Sequence, residues 1–135
     1  MGTNKYNILF IDDSDMNNFL TKAIIKVDEL PIEAHFCEKV DDALAYLNNL
    51  QSNNTQFPQF IFCDINLPGK NGFHFTEKYQ QSFFNQFPDT KVFFMSALIG
   101  KEEEEKAANF NCVKGLYEKP FTIDIAKSAL GLMAA

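Results

Sequence analysis

The sequence contains no tryptophan and only three cysteines, Cys37, Cys63 and Cys112. Their number is odd, and they form neither a CxxC pair nor a Cys/His cluster with the spacing of metal ligands. This pattern argues against a disulfide framework and against a zinc site. We expect three reduced, mostly buried thiols, which are typical of a cytoplasmic protein.

Basic residues and long apolar segments are also scarce. The 18 Asp and Glu residues outnumber the 12 Lys and Arg residues, which gives a net charge of -6, and no basic stripe is present. We therefore expect no binding to nucleic acid or to anionic membranes. No apolar run approaches the roughly 18 residues of a membrane helix, and the N-terminus lacks the apolar stretch of a signal peptide.

A chain of 135 residues has the usual size of one domain and can bury a core without disulfides or a structural metal. Five short apolar runs alternate with five segments of helical periodicity. The runs are Asn7–Ile11, Ile32–Phe36, Phe60–Cys63, Val92–Met95 and Gly115–Tyr117.

Three of the helical segments have a clear apolar face. The last of them is expected to begin after Thr122, a plausible N-cap. The third segment is expected over about 73–87 and the fourth over 101–110, and core packing is expected for the phenylalanines near the end of the third. The apolar faces are Phe19, Leu20, Ala23, Ile24 and Val27 in the first segment; Ala43, Leu44, Leu47 and Leu50 in the second; and Ile125, Ala126, Ala129, Leu130 and Met133 in the last.

The first, third and fourth runs are apolar without alternation, as in strands that are covered on both faces. Strands of this kind, each followed by a helix, predict an α/β fold with a doubly wound parallel sheet. In such sheets the functional site lies beyond the carboxyl ends of the strands.

Polar and charged residues follow four of the five predicted strands. Asp12 and Asp13 follow the first run, Asp64 the third, Ser96 the fourth and Lys119 the fifth. The carboxyl ends of parallel strands share one edge of the sheet, so we expect these side chains to converge. Each residue alone is as well explained by a turn, a helix N-terminus or the solvated surface; the conjunction of all of them indicates a site.

Three converging carboxylates repel one another by several kcal/mol at an intermediate dielectric constant. A site that tolerates this repulsion usually holds a cation, and a few oxygen ligands with open positions favour Mg²⁺. The Lys119 ammonium and the Ser96 hydroxyl would then donate hydrogen bonds to a bound phosphoryl group. One carboxylate would then remain as a nucleophile.

The motifs, taken in order, resemble those of bacterial response-regulator receiver domains, the CheY-like superfamily. They are the Asp pair after the first strand, FCDINLPGKNG, the lone Ser after VFFM, and KPF near the end. The resemblance covers Asn7 to about Met133 and implies a flavodoxin-like (βα)5 fold with a five-stranded parallel sheet of order 2-1-3-4-5. It implies a single receiver domain over 1–135, with no output domain.

The resemblance assigns a role to each matching position. Asp64 resembles the phosphoacceptor, Asp13 the direct Mg²⁺ ligand, and Asp12 its partner, often acting through water. Asn66 matches the position whose backbone carbonyl completes the metal site. Lys119 resembles the lysine that pairs with the phosphoryl oxygens, and the Lys119–Pro120 peptide bond is expected to be cis.

Ser96 resembles the hydroxyl that moves toward the phosphoryl group, and the fourth helix, fifth strand and fifth helix are the expected switching surface. The donor implied is a sensor histidine kinase or a histidine phosphotransfer protein, and a downstream effector protein receives the signal. The family usually has an aromatic residue three positions before the lysine, where this chain has Leu116. Strand alternation should point the neighbouring Tyr117 to the opposite face.

Three alternatives remain open. An aspartyl-phosphate hydrolase would also use an Asp nucleophile, but it typically has a second Asp at the position of Asn66. A flavin carrier of the same fold would need a neutral phosphate-binding loop where this chain has Asp12 and Asp13. A pseudo-receiver would bind partners without phosphorylation, which the intact acidic set disfavours. We expect a signalling protein rather than an enzyme.

Overall fold

The computed structural model describes residues 5–131 as five parallel strands alternating with five helices. The strands are β1 (Tyr6–Ile11), β2 (Ile32–Cys37), β3 (Phe60–Asp64), β4 (Lys91–Ser96) and β5 (Val113–Glu118). The helices are α1 (Asp15–Val27), α2 (Val40–Ser52), α3 (Gly72–Ser82), α4 (Lys101–Ala107) and α5 (Ile123–Leu130). Met133, which was expected on the last helix, lies outside the described residues.

All five strands form one sheet in the order β2-β1-β3-β4-β5, which confirms the predicted topology. Side chains alternate between two cores, one on each face of the sheet. In β1, Leu9 and Ile11 belong to the core under α2, α3 and α4, whereas Ile8 and Phe10 belong to the core under α5. This two-sided burial explains why the central strands are apolar without alternation.

The central strands end at the same edge of the sheet because they pair in register. Ile11 pairs with Cys63, Asp64 pairs with Met95, and Ser96 pairs with Glu118. Asp64 and Ser96 are therefore the last residues of their strands rather than the first residues of loops. This register brings the polar ends of β1, β3, β4 and β5 to one rim.

The prediction for α1 was wrong about which face is buried. Phe19, Leu20 and Val27 are exposed, and the residues of α1 that are buried are Asn18 and Thr21. The Asn18 side chain donates to the backbone oxygen of Asp12 at 3.0 Å. Periodicity located the helix, but its inner face is formed by these polar residues together with Ile25, which packs against the core.

Two other helices are shorter than expected. α3 ends at Ser82 instead of continuing to Phe87, and α4 ends at Ala107. After α3 the chain turns, and Phe83 is buried while Phe84 and Phe87 pack against the same core, as expected for these phenylalanines. The apolar residues beyond Ser82 therefore continue the core without continuing the helix.

No helix within the described residues has both the length and the apolar character needed to span a membrane.

Candidate functional site

Asp64 is the last residue of β3, and its side chain is almost completely buried, with 1 % of its surface exposed. Its Oδ1 atom accepts a hydrogen bond from the backbone N–H of Asn66 at 3.0 Å. Its Oδ2 atom accepts one from Lys119 Nζ at 2.7 Å. Both oxygens thus have a donor, which makes the burial of a carboxylate tolerable.

The loop after Asp64 turns back closely, and Gly72, at the start of α3, lies against the end of β3. The Gly72 N–H donates to the Ile65 backbone oxygen at 2.9 Å. A Cβ atom at position 72 would lie 2.6 Å from the Asp64 backbone oxygen and 2.9 Å from Ile65 Cα. Only glycine fits this approach, so Gly72 fixes the backbone on which Asp64 stands.

Asp12 is held firmly at the junction of β1 and α1. Its Oδ1 atom accepts from the backbone N–H of Ser14 at 2.9 Å, and its Oδ2 atom accepts from Asn17 Nδ2 at 3.3 Å. Ser14 in turn caps α1 by accepting from the Asn17 N–H. The helix terminus and the Asp12 carboxylate therefore form one hydrogen-bonded unit.

Asp13 is exposed and completes a group of three carboxylates. One oxygen from each of Asp12, Asp13 and Asp64 can be chosen so that all three lie within 4.8 Å of one another. This convergence of the three aspartates was predicted from their positions after the first and third strands. Among residues 5–131, it is the one cluster of three or more His, Cys, Asp or Glu side chains close enough to hold a metal ion.

Lys119 reaches into the group from the end of β5. Its backbone N–H donates to the Ser96 backbone oxygen at 2.8 Å, and the following bond to Pro120 is cis, as predicted. Its Nζ atom lies 2.7 Å from Asp64 Oδ2 and 3.8 Å from Asp12 Oδ2. One ammonium group thus lies close to two of the three carboxylates, those of Asp12 and Asp64.

The electrostatics of Asp64 follow from this packing. Burial raises the pKa of the Asp64 carboxyl group, and the nearby Asp12 carboxylate raises it further. The hydrogen bonds from Lys119 and from the Asn66 N–H oppose that rise. With all four groups ionised, three negative charges and one positive charge leave a net charge of -2, which favours binding of an additional cation.

Ser96 is buried, but its hydroxyl group is engaged within its own loop. It donates to the Leu98 backbone oxygen at 2.9 Å and accepts from the Leu98 N–H at 3.3 Å. The hydroxyl therefore lies at the same rim as the aspartates without being bonded to them. The hydroxyl has a single proton, so donating a hydrogen bond to a group on Asp64 requires the bond to the Leu98 oxygen to break.

The residues before Lys119 point to opposite faces of the sheet, as alternation predicted. Leu116 packs against the core under α2, α3 and α4, and Tyr117 packs against the core on the other side. The Tyr117 hydroxyl lies 2.9 Å from the Ser128 hydroxyl on α5. An aliphatic side chain thus lies three residues before Lys119, on the face of the sheet opposite Tyr117.

The polar side of α1 near the site was missed at the sequence level. Asn17 bonds the Asp12 side chain, Asn18 bonds its backbone oxygen, and Thr21 donates to the Asn17 backbone oxygen at 2.9 Å. Asn18 and Thr21 line a cavity of about 20 Å³ together with Asp12, Asp64 and Lys119. The sequence feature that could have revealed it is the pair of adjacent asparagines two residues after Asp15.

The family described as "Response regulator receiver domain" matches residues 8–130. No curated protein sequence matches the chain. Among solved structures, a two-component response regulator from Cytophaga hutchinsonii is 26 % identical, with a TM-score of 0.86 over 96 % of each chain. One from Legionella pneumophila is 22 % identical, with a TM-score of 0.79 over 95 % of this chain and 97 % of that one. Vibrio cholerae chemotaxis protein CheY4 is 19 % identical, with a TM-score of 0.72 over 94 % of this chain and 97 % of that one.

Proposed function

The chain belongs to the response regulator receiver domain family, and we propose that it accepts a phosphoryl group on Asp64 in two-component signalling. The donor is a phosphohistidine on a sensor histidine kinase or a histidine phosphotransfer protein. The phosphorylated chain binds a downstream effector protein. It catalyses only its own phosphorylation and dephosphorylation.

The observation that supports this proposal most directly is the ion pair between Asp64 and Lys119. It lies within the acidic group, by which we mean the carboxylates of Asp12, Asp13 and Asp64. Asp64 is the buried member of the three aspartates, and its Oδ2 atom lies 2.7 Å from the lysine ammonium. An ammonium at this distance can bind the oxygens of a phosphoryl group that becomes attached to the carboxylate. Phosphoryl transfer depends mainly on such positioning and charge neutralisation.

The donor set fits a magnesium ion. Three carboxylate oxygens can come within 4.8 Å of one another, the described cluster contains no sulfur or imidazole ligand, and Asp13 is exposed to solvent. The residues that would hold the ion are Asp12, Asp13, Asp64 and the backbone carbonyl of Asn66. Bound there, Mg²⁺ would supply neutralisation of the carboxylates and of a phosphoryl oxygen.

The chemical step exchanges one bond to phosphorus for another. A carboxylate oxygen of Asp64 attacks the phosphorus, and the P–N bond to the donor histidine breaks with its electron pair remaining on the imidazole nitrogen. The acyl phosphate keeps the transferred phosphoryl oxygens beside Lys119. Water later attacks the same phosphorus, which releases inorganic phosphate and restores the carboxylate.

Switching begins with the added charge, about -1.5 to -2 for a phosphorylated side chain. This charge attracts the Ser96 hydroxyl, whose hydrogen bond to the Leu98 backbone oxygen has to break. Leu98 lies in the segment between β4 and α4, so the change reaches α4 and the adjoining β5 and α5. Leu116, which packs against the core on this side of the sheet, occupies the position of the usual aromatic side chain.

The proposal is tested by incubating the purified chain with acetyl phosphate and MgCl₂ and measuring its intact mass. We expect the mass of one added phosphoryl group, lost on removal of Mg²⁺ and in the Asp64→Asn variant. Asp89→Asn is the matched control because Asp89 is exposed and lies outside the acidic group. Equal modification of Asp64→Asn and the native chain would disprove the proposal.

A second assay separates the receiver from the hydrolase alternative. We expect no hydrolysis of p-nitrophenyl phosphate, because the position of a hydrolase's second Asp is occupied by Asn66. Multiple turnovers that disappear in Asp64→Asn would instead identify a phosphatase. A chain that is never modified under either condition would be a pseudo-receiver.

A further inference from the structure

Strand β2 forms one outer edge of the sheet. It pairs with β1 in an unbroken register from Ile32 to Cys37, and among residues 5–131 no strand pairs with its other side. At the opposite edge, the register between β4 and β5 is irregular at Val92 and Phe93. Irregularities of this kind protect an edge strand from pairing with other chains. The pairing of β2 shows no such irregularity along its length.

The direction of the β2 backbone groups follows from their bonds to β1. The Asp12 N–H donates to the Cys37 oxygen at 3.0 Å, and the Tyr6 N–H donates to the Pro31 oxygen at 2.8 Å. Residues 31 and 37 thus present their carbonyl groups to β1. Because successive residues of a strand alternate in direction, the even-numbered residues of β2 present their N–H and C=O groups to the open side.

The residues with backbone groups on the open side are Ile32, Ala34 and Phe36. The Ile32 N–H is already engaged, because it donates to the Leu30 oxygen at 2.8 Å. Within the described residues, the N–H groups of Ala34 and Phe36 and the oxygens of Ile32 and Ala34 remain for a further strand. A row of such groups is a template for pairing with another chain.

The side chains of β2 differ between the two faces of the sheet. On the side of the core under α5 they are apolar: Ile32, Ala34 and Phe36. A groove of about 520 Å³ runs beside them. On the other face, Glu33 and His35 are exposed. The His35 ring is stacked on the Tyr46 ring with centroids 3.8 Å apart, which restricts its rotation.

The β2 edge is complementary to itself when two copies run antiparallel. With Ala34 opposite Ala34 of the other copy, each Ile32 lies opposite a Phe36, and each Glu33 lies opposite a His35. Glu33 and His35 then form a non-hydrogen-bonded pair, the type in which opposing side chains are closest. Each carboxylate can accept a hydrogen bond from the imidazole N–H of the other copy.

Neighbouring registers lack this complementarity. A shift of two residues in one direction places Glu33 opposite Glu33 of the other copy, and a shift in the other direction places His35 opposite His35. Like charges directly opposite each other destabilise a strand pair. The register centred on Ala34 is therefore the one that pairs each carboxylate with an imidazole.

Other charges near the edge also fit this register. Lys22 Nζ lies 4.9 Å from the centre of the Phe36 ring. The two Phe36 residues are four positions apart along the edge, about 13 Å, which keeps the two Lys22 groups apart. The exposed Lys39 lies toward the end of the interface at which the other copy has the exposed Glu29. These charges therefore do not oppose pairing of two copies.

We propose that β2 pairs with β2 of a second copy of this chain in this antiparallel register, which joins the two five-stranded sheets into one. The Ala34 N–H donates to the Ala34 oxygen of the other copy, and the Phe36 N–H donates to the Ile32 oxygen of the other copy. With their symmetry mates, these groups close the open edge of both sheets. This inference does not depend on phosphoryl transfer.

The pairing is weak and depends on concentration. One short edge strand buries less surface than a standard-sized protein interface, and interfaces of that size are usually transient. We expect a monomer at low micromolar concentration and a growing fraction of dimer toward roughly millimolar concentration.

Sedimentation velocity of the full chain over this concentration range tests the proposal. We expect the sedimentation coefficient to rise with concentration in the native chain and to stay constant in Ala34→Pro. Proline removes an N–H that β1 does not use, and edge strands tolerate it on the open side. Ala34→Ser is the matched control because it keeps the N–H, and it should associate like the native chain.

Charge exchange tests the register itself. His35→Glu places carboxylates opposite each other at two symmetry-related positions and should weaken association about tenfold. Asn48→Glu makes the same change in net charge on the side of α2 away from Tyr46 and should weaken association much less.

A second substitution should restore the pairing. Glu33→Lys/His35→Glu places a lysine opposite each new carboxylate and should associate about as strongly as the native chain. It changes the net charge from -6 to -5. Asp89→Lys/His35→Glu reaches the same net charge without a local pair, because Asp89 is exposed at a distant loop, and it should remain weak.

Amide hydrogen exchange at low and high protein concentration locates the contact. When half of the chain is dimeric, the Ala34 and Phe36 amides should exchange about twofold more slowly than in the monomer, since only the monomer leaves them open. The outward amides of Leu116 and Glu118 on β5 are the internal control and should not change.

Circular dichroism of each variant confirms that it is folded. A native chain that remains monomeric throughout the concentration range would overturn the proposal and leave the β2 edge to a different protein. Association that survives in folded Ala34→Pro, that Glu33→Lys/His35→Glu fails to restore, or that protects the β5 amides instead would also overturn it.

Discussion

Lys119 Nζ lies 2.7 Å from Asp64 Oδ2, although their strands are not neighbours in the sheet. β4 separates β3 from β5, so the lysine side chain reaches across the end of β4, where Ser96 is located. The Lys119 backbone N–H also bonds the Ser96 backbone oxygen. We propose that phosphorylation is sensed through Asp64, Ser96 and Lys119. Hydrogen bonds thus connect these three residues before any phosphoryl group is present.

Replacing Lys119 tests how much this buried ion pair contributes. In Lys119→Gln, the Asp64 carboxylate loses its counter-charge while remaining 1 % exposed. We expect the free energy of unfolding to fall by about 1–3 kcal/mol, and modification by acetyl phosphate to be strongly slowed. Urea denaturation and intact mass measure these effects.

Lys70→Gln is the control for that substitution. Lys70 pairs with Asp41 at a similar distance of 2.8 Å, but their side chains are 61 % and 70 % exposed. Such exposed pairs contribute at most about 1 kcal/mol. Equal destabilisation by the two variants would show that burial of Asp64 does not determine the effect.

Much of this site could be predicted because each residue follows a recognisable strand. The apolar runs located all five strands within one or two residues, and parallel topology then brought Asp12, Asp13 and Asp64 to one rim. The strand order came from the resemblance of the motifs to a family rather than from periodicity.

Other features depend on contacts that the sequence pattern does not contain. Periodicity gives the spacing of an apolar face but not its direction, so the exposure of Phe19 and Val27 was not predicted. The end of α3 was missed because Phe83 continues the apolar pattern while the backbone turns. The engagement of Ser96 with Leu98 depends on a loop conformation that residue types alone do not specify.

Magnesium should stabilise the folded chain through the acidic group. With a dissociation constant near 1 mM, about 10 mM MgCl₂ would add about 1.4 kcal/mol and raise the melting temperature by a few degrees. Asp13→Asn should abolish most of this shift and raise the metal-free melting temperature, since it removes one of three carboxylates that repel one another. Asp89→Asn is the control, and a shift of native size in Asp13→Asn would exclude Asp13 as a metal ligand.

Gly72→Ala should disturb the strand that carries Asp64. The added Cβ atom would lie 2.6 Å from the Asp64 backbone oxygen, and neither backbone segment can move freely. We expect a loss of about 1–3 kcal/mol in the free energy of unfolding, together with slower modification of Asp64.

Gly69→Ala separates crowding from backbone strain. Gly69 has a φ of 75° but nothing within 4 Å of an added Cβ atom. Its substitution should cost about 1 kcal/mol through the left-handed conformation alone. Urea denaturation measures both variants. If Gly69→Ala and Gly72→Ala lose the same unfolding free energy, close contact at position 72 is not what destabilises Gly72→Ala.

The three cysteines should be unreactive in the folded chain. Burial raises the pKa of Cys37 to about 11 and that of Cys112 to about 11, and it also raises the pKa of Cys63. At pH 8 only about one in a thousand of the first two thiols would be ionised. Titration with a thiol-reactive disulfide should show little reaction before denaturation and three thiols afterwards; rapid native labelling would contradict the described burial.

Reduction of the phosphorylated chain with borohydride, followed by peptide mapping, tests most directly whether Asp64 is the phosphoacceptor. Borohydride converts an aspartyl phosphate into homoserine and thereby marks the modified residue. After treatment with acetyl phosphate and Mg²⁺, we expect homoserine at position 64 and unmodified aspartate at positions 12 and 13. Homoserine at position 12 or 13, or a stable phosphate ester on Ser96 with position 64 unchanged, would contradict the proposed role of Asp64.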